Sequence, residues 1–212
     1  MANYEKPDTW SIKAQKEGYP ARSVYKLKEM DEKVHLSPGD GSHGDSSRLT
    51  KFRALDLGAA PGSWSLYTLR KLGGGGFLAA ADLSPLSRQY DRGLFEGGNF
   101  YFTQGDITQG EIRDALLGKG PYTLLISDAA PATMGNRSVD TLRSLGLAEA
   151  VLDYAETALQ KGGNLVVKVF QGGDTASILK KIRELFETGR AFKPIACRRE
   201  SFETYYVGLG RK

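Results

Sequence analysis

The chain has 212 residues, 40% of them hydrophobic, 10% aromatic and 25% charged, which suits one folded domain with a real core and excludes wholesale disorder. One cysteine and two histidines exclude a disulfide framework and leave no Cys/His zinc set, so a reduced, cytoplasmic setting is expected. No apolar run approaches the ~18 residues of a membrane span, and residues 1–19 lack the apolar stretch of a secretory signal.

The net charge of +4 is mild, but it is unevenly placed. Met1 to Leu36 carries seven basic and six acidic residues, whereas Arg190 to Lys212 carries six basic against two acidic. The C-terminal stretch therefore holds an excess equal to that of the whole chain. Such a stretch suits an acidic partner such as nucleic acid, or simply a solvated edge.

In chain order, Tyr19 to Val34 has Ala21, Val24, Leu27 and Met30 at helical spacing. Leu36 to Arg53 is rich in serine and glycine and reads as a surface loop. From there strands and helices alternate. The expected strands are Phe52 to Leu57, Phe77 to Asp82, Asn99 to Gln104, Tyr122 to Asp128 and Gly163 to Phe170. The expected helices are Gly62 to Leu72, Gly110 to Leu117, Asp140 to Gln160 and Asp174 to Glu187. The Asp140 helix should bury Leu142, Leu145, Leu147, Ala148, Val151, Leu152 and Ala155. Ala191 to Cys197 and Tyr205 to Leu209 close the chain as two strands with no helix between them. This alternation predicts an α/β fold with a mostly parallel sheet and an antiparallel strand added by the final hairpin.

Ligands of such sheets sit beyond the carboxyl ends of the strands. The first strand–helix turn runs from Leu55 through Gly58, Pro61 and Gly62 to Trp64. It matches neither the dinucleotide G-x-G-x-x-G pattern nor a P-loop, and Pro61 removes an N–H that a pyrophosphate would use. It suits a ligand with nucleoside and amino-acid parts. Asp82 ends the second strand, where a carboxylate can accept from ribose hydroxyls. Asp106 follows the third, where one can accept from an adenine amine, and Asp128 ends the fourth. With Asp56 in the first strand, carboxylates at four successive strand ends form the pattern of an S-adenosylmethionine site. Each taken alone is equally a turn or a helix cap.

Lys168 stands out because it lies in an apolar strand, where an unpaired ammonium is costly. Lys26 on the first helix reads alone as a solvated position, and Glu203 opens the last strand.

Five motifs carry a family resemblance. Arg22, Ser23, Tyr25, Lys26 and Leu27 form the first, and Leu55 to Gly62 the second. Ser127, Asp128, Ala130 and Pro131 form the third, Val166 to Gly172 the fourth, and Glu203 to Tyr205 the fifth. In this order, over residues 10–210, they closely resemble the FtsJ/RrmJ family of RNA ribose 2′-O-methyltransferases. The resemblance implies a Rossmann-like class I methyltransferase fold with strand order 3-2-1-4-5-7-6. It implies a catalytic tetrad at Lys26, Asp128, Lys168 and Glu203, and S-adenosyl-L-methionine held by Gly58, Gly62, Trp64, Asp82, Asp106 and Asp128, with no metal. Residues 1–36 would form an arm and helix serving the RNA and the active site. Residues 37–51 would be a flexible loop, and 52–212 the methyltransferase domain, the whole forming one compact unit.

The implied partner is RNA, foremost ribosomal RNA or the large ribosomal subunit, with no membrane partner and a monomeric chain. A tRNA ribose enzyme and a non-catalytic RNA-binding assembly factor are the alternatives. A small-molecule O-methyltransferase fits less well, since those commonly use a metal or a histidine base. Ser63 stands where the family usually has a second glycine before the tryptophan, and the segment Pro38 to Thr50 is longer than expected. The expected chemistry is proton removal from the ribose hydroxyl by Lys168: like charge from Lys26 would lower its pKa, while Asp128 and Glu203 would orient the lysines and oppose that drop, and residue types alone do not decide which effect dominates.

Overall fold

A computed structural model describes residues 8–37, 46–132, 134–198 and 201–212. The loop expected over 38–45 lies outside the described residues. Seven strands form one sheet: β1 (Arg53–Leu57), β2 (Phe77–Asp82), β3 (Phe100–Gln104), β4 (Tyr122–Ser127), β5 (Leu159–Phe170), β6 (Phe186–Phe192) and β7 (Glu203–Arg211). Their order is β3-β2-β1-β4-β5-β7-β6, as the resemblance implies. The first five are parallel, and β7 runs antiparallel between β5 and β6.

Among the described residues, seven α-helices accompany the sheet: α1 (Thr9–Lys16), α2 (Val24–Val34), α3 (Ser46–Lys51), α4 (Ser63–Leu72), α5 (Gly110–Leu117), α6 (Arg137–Ala158) and α7 (Thr175–Leu185). The structure adds α1, and α3 within the stretch expected to be loop.

Side chains alternate across the pleat, so each strand feeds two cores. Leu55, Leu57, Leu125, Leu165, Val167 and Val169 face α5, α6 and α7. Ala54, Leu124, Ile126, Val166, Tyr205 and Val207 face α2 and α4, together with Val24, Leu27, Met30, Trp64 and Leu69. The parity of Val166 puts Lys168 on the α2 side, and the parity of Tyr205 and Val207 puts Glu203 there too.

Two expectations are corrected. The sixth strand is Phe186–Phe192, not Ala191–Cys197. Its interior holds Gly189, where a Cβ would meet Arg183 Cγ at 2.9 Å and Ile182 Cγ2 at 3.0 Å. Close packing under α7 selects a residue that carries no strand signal. Pro194, which has no N–H to donate to a ladder, follows the strand. In α6, Leu142 is 70% exposed, while Asp140, Thr141 and Ser144 are buried in its stead. Two of them serve backbone groups: Asp140 accepts from Met134 N at 2.8 Å and Ser144 Oγ from Phe170 N at 3.0 Å.

One carboxylate anchors α2. Asp31, 3% exposed, accepts from Ser37 N at 2.9 Å, Ser37 Oγ at 2.7 Å, Tyr67 Oη at 2.8 Å and Lys71 Nζ at 2.8 Å. These bonds outweigh its desolvation and hold its pKa below the usual carboxylate value. Removing it leaves a half-buried ammonium and a buried hydroxyl without their acceptor. Asp31→Ala is therefore expected to cost about 2–3 kcal/mol of stability, read from urea denaturation.

Candidate active site

The site lies at the carboxyl edge of the parallel strands. Gly58 follows β1 with φ 78°, a left-handed value that glycine adopts freely. A Cβ there would stand 2.5 Å from Ala129 Cα, so the turn after β1 presses directly on the exit of β4. Beside this contact opens a cleft of about 420 Å³, lined by Gly58, Asp82, Leu83, Gly105, Asp106, Ile107, Ala129, Ala130 and Leu147. Of the sequence-expected cofactor residues, Gly58, Asp82 and Asp106 line it, and Asp128 immediately precedes Ala129.

Asp82 is fixed by Ala60 N on Oδ2 at 2.9 Å and Ser84 N on Oδ1 at 2.8 Å, which leaves lone pairs on both oxygens. Asp106 spends Oδ1 on Thr108 N and Oγ1 at 2.9 and 2.8 Å, so Oδ2 remains open. Among the described residues, the lining contains two carboxylates and no lysine or arginine. That balance suits a cationic nucleoside with hydroxyl and amine donors and repels a phosphate-bearing one. S-adenosylmethionine therefore fits these residues.

Gly62 and Trp64 are not among the lining residues. Gly62 caps α4 with φ 106°, facing Phe95, whose ring a Cβ would meet at 2.9 Å. Trp64 is 2% exposed. Its indole N–H donates to Ser23 O at 2.8 Å, and its ring packs on Tyr205 with centroids 5.8 Å apart. It ties α4 to α2 and β7. The four-carboxylate pattern likewise resolves into three strand-end groups and one internal group. Asp56 is fully buried and accepts from Ser65 Oγ at 2.6 Å through Oδ2, while Oδ1 has no partner.

Next to the cleft, two buried ion pairs meet. Lys168 Nζ lies 2.9 Å from Asp128 Oδ1 and also donates to the Asp128 carbonyl. Lys26 Nζ lies 2.8 Å from Glu203 Oε1. Both lysines are 9% exposed. The antiparallel sense of β7 makes this possible. Glu203 begins β7 opposite Phe170 at the end of β5, so the start of one strand reaches the finish of the other.

Burial would lower the Lys26 pKa, but Asp128 and Glu203 outweigh it and hold the ammonium above its usual value. Burial would raise the Asp128 pKa, but Lys168, Lys26 and a hydrogen bond from Tyr205 hold it below the usual range. Lys26 and Lys168 each thus have a carboxylate at contact distance.

Two further residues join the cluster. Tyr205 donates to Asp128 Oδ1 at 2.7 Å, and its ring lies 5.7 Å from Lys26 Nζ. The signal was its spacing of two from Glu203 on one strand, which puts both on one face. Cys197 bonds Glu203, and burial, aided by that carboxylate, pushes its thiol up to about 12, so it stays a neutral thiol.

The family model described as FtsJ-like methyltransferase matches residues 19–211. The chain is similar to the "Ribosomal RNA large subunit methyltransferase E" of Treponema denticola, 51% identical over 99% of this chain and 97% of that protein. It is 45% identical to the protein of the same name from Borreliella afzelii, over 95% of this chain and 96% of that one. A solved ribosomal RNA methyltransferase, putative, from Plasmodium falciparum superposes with TM-score 0.72 at 23% identity, covering 91% of this chain and 98% of that chain. Human methyltransferase-like protein 13, solved in complex with SAH, superposes with TM-score 0.58 at 12% identity, covering 88% and 82%. These two likenesses concern the fold.

Asp56 yields a pH test. Burial, with Asp128 and Asp82 adding repulsion, pushes its carboxyl up to about 7. Between the ordinary carboxylate value and 7 the native state binds more protons than the unfolded chain, so this group's contribution to stability falls as pH rises through that window. Asp56→Asn removes the slope. The variant should gain about 2–4 kcal/mol on wild type between pH 4 and pH 8, measured by urea denaturation at both. With the cleft and the paired cluster in place, the sequence match over 19–211 is decisive: the chain belongs to the FtsJ-like methyltransferase family.

Proposed function

We propose that the protein transfers a methyl group from S-adenosylmethionine to a ribose 2′-hydroxyl of large-subunit ribosomal RNA. The carrying observation is the junction of the two lysine–carboxylate pairs with the carboxylate-lined cleft, through the Asp128–Ala129 step. The ribosomal target is supported by the names of the relatives at 51% and 45% identity, whose length the chain nearly spans.

S-adenosylmethionine, when bound, supplies an electrophilic methyl group. Asp82 and Asp106 would hold its hydroxyl and amine donors, and Gly58 would let the backbone close under it. Gly62 and Trp64 act behind the turn, fixing the start of α4. On the acceptor side, Lys168, with its own proton first released to solvent, would receive the 2′-hydroxyl at Nζ and take its proton as the ribose oxygen bonds the methyl carbon and the methyl–sulfur bond breaks, S-adenosylhomocysteine being the leaving group. Asp128 aims Lys168 through its carboxylate and its carbonyl. Lys26 stays protonated, held by Glu203, and serves as a fixed cation for the oxygen as it develops charge. Much of the rate comes from holding the two reactants in line.

Arg22, Lys193 and Arg198 are proposed to meet RNA phosphates, whereas Arg211 of the basic C-terminal stretch lies at the opposite end of β7 from Glu203 and donates to the Leu159 and Glu156 carbonyls. Arg22 is engaged with Asp8 and the Ala196 carbonyl, which links the N-terminal arm to the loop after β6. The chain is read as a cytoplasmic monomer. Among the described residues, no helix is long and apolar enough to cross a membrane.

Methyl transfer to large subunits, free rRNA and tRNA, followed with labelled methyl, tests the assignment. Labelled 2′-O-methylribose in large-subunit rRNA is expected, and labelling of tRNA alone would overturn it. Lys168→Ala should abolish transfer with S-adenosylmethionine affinity within about twofold, because the cofactor contacts lie elsewhere. Lys168→Arg should fail as well, since a guanidinium does not release its proton at working pH. Retained turnover in that variant would make Lys168 a positioning charge. Asp82→Ala should weaken cofactor binding by about 1.5–3 kcal/mol in calorimetry.

A further inference from the structure

The reading above assigns Ser63 no role, although it stands where a glycine is usual. Its side chain is 1% exposed. Its hydroxyl accepts from Ala21 N at 2.9 Å and donates to Ala21 O at 3.1 Å, a two-way bond to the residue three positions ahead of α2. The neighbouring Trp64 indole donates to Ser23 O at 2.8 Å.

These two carbonyls also start α2. Val24 N donates to Ala21 O at 3.4 Å, and Lys26 N to Ser23 O at 3.0 Å. Ser23, the residue before the helix, makes no side-chain capping bond. The first turn of α2 is therefore held by side chains from the first turn of α4, and α4 begins directly at the turn that lines the cleft. Lys26 lies in that first turn.

We propose that Ser63 is a positioning residue, which registers the start of α2 against the cofactor turn and so places Lys26 for Glu203 and the acceptor hydroxyl. This rests on the proposed part of Lys26. A glycine at 63 can make neither bond, so in this chain the hydroxyl performs a linkage that backbone alone cannot.

The test uses the full chain with Ser63→Ala, and Ser63→Gly as a second variant. Amide hydrogen exchange over residues 20–27 should quicken at least about tenfold, while exchange over 63–72 stays at the wild-type rate. kcat for RNA methylation should fall roughly tenfold, with S-adenosylmethionine affinity within about twofold. Unchanged exchange over 20–27 would overturn the proposal. Equal quickening in both segments would overturn it too, marking Ser63 as ordinary packing. Quickened exchange over 20–27 with unchanged kcat would show that the linkage does not serve Lys26. A wild-type protein that methylated no RNA would refute the assigned function, while the exchange readout would still decide the linkage.

Discussion

Two ammonium groups sit almost entirely out of water, and that constraint organises the molecule. A buried, unpaired charge costs several kcal/mol, so Lys26 and Lys168 each require a carboxylate at contact distance. Lys168 obtains Asp128 from the adjacent strand, with which β5 runs parallel. Lys26 obtains Glu203 only because β7 turns back against β5 and delivers its first residue to the same edge. A further parallel strand in that place would have brought its last residue there. The antiparallel insertion is thus an electrostatic requirement of the site as much as a feature of topology.

The same edge is divided by strand. The exits of β1, β2 and β3, with the residues after β4, form the cleft. Residues at β4, β5 and β7, with α2, form the charged cluster. Asp128 belongs to both, since its side chain pairs with Lys168 and its following residues wall the cleft. Helix α4 joins the halves from behind. Ser63, Trp64, Tyr67 and Lys71 lie at successive turns of one face and bond residues 21, 23 and 31 of the α2 region.

Much of this was legible in the sequence, for physical reasons that differ by element. β1, β2 and β4 are dense apolar runs of strand length, and Lys168 betrayed itself by interrupting such a run. β6 was displaced because its interior, Thr188, Gly189 and Arg190, is chosen by its fit under α7 and carries no strand pattern. Leu142 was expected inside because helical spacing does not reveal that the first turns of α6 serve backbone groups with Asp140 and Ser144. Tyr205 belongs to the fifth motif but carries no expected role in the site, because a tyrosine in an apolar strand resembles core until its hydroxyl is seen on Asp128. The charge balance of the tetrad was equally hidden. Residue types alone do not say which lysine meets which acid: Lys26 meets Glu203 and Lys168 meets Asp128.

The place of β7 in the chain has a consequence for biosynthesis. Residues that line the cleft are all made by Leu147, well before Glu203 leaves the ribosome. A growing chain could thus assemble a methyl-donor pocket while Lys26, made near the start, still lacks its acid. The Lys26–Glu203 pair can thus close only after the chain has been translated through β7 and that strand has entered between β5 and β6.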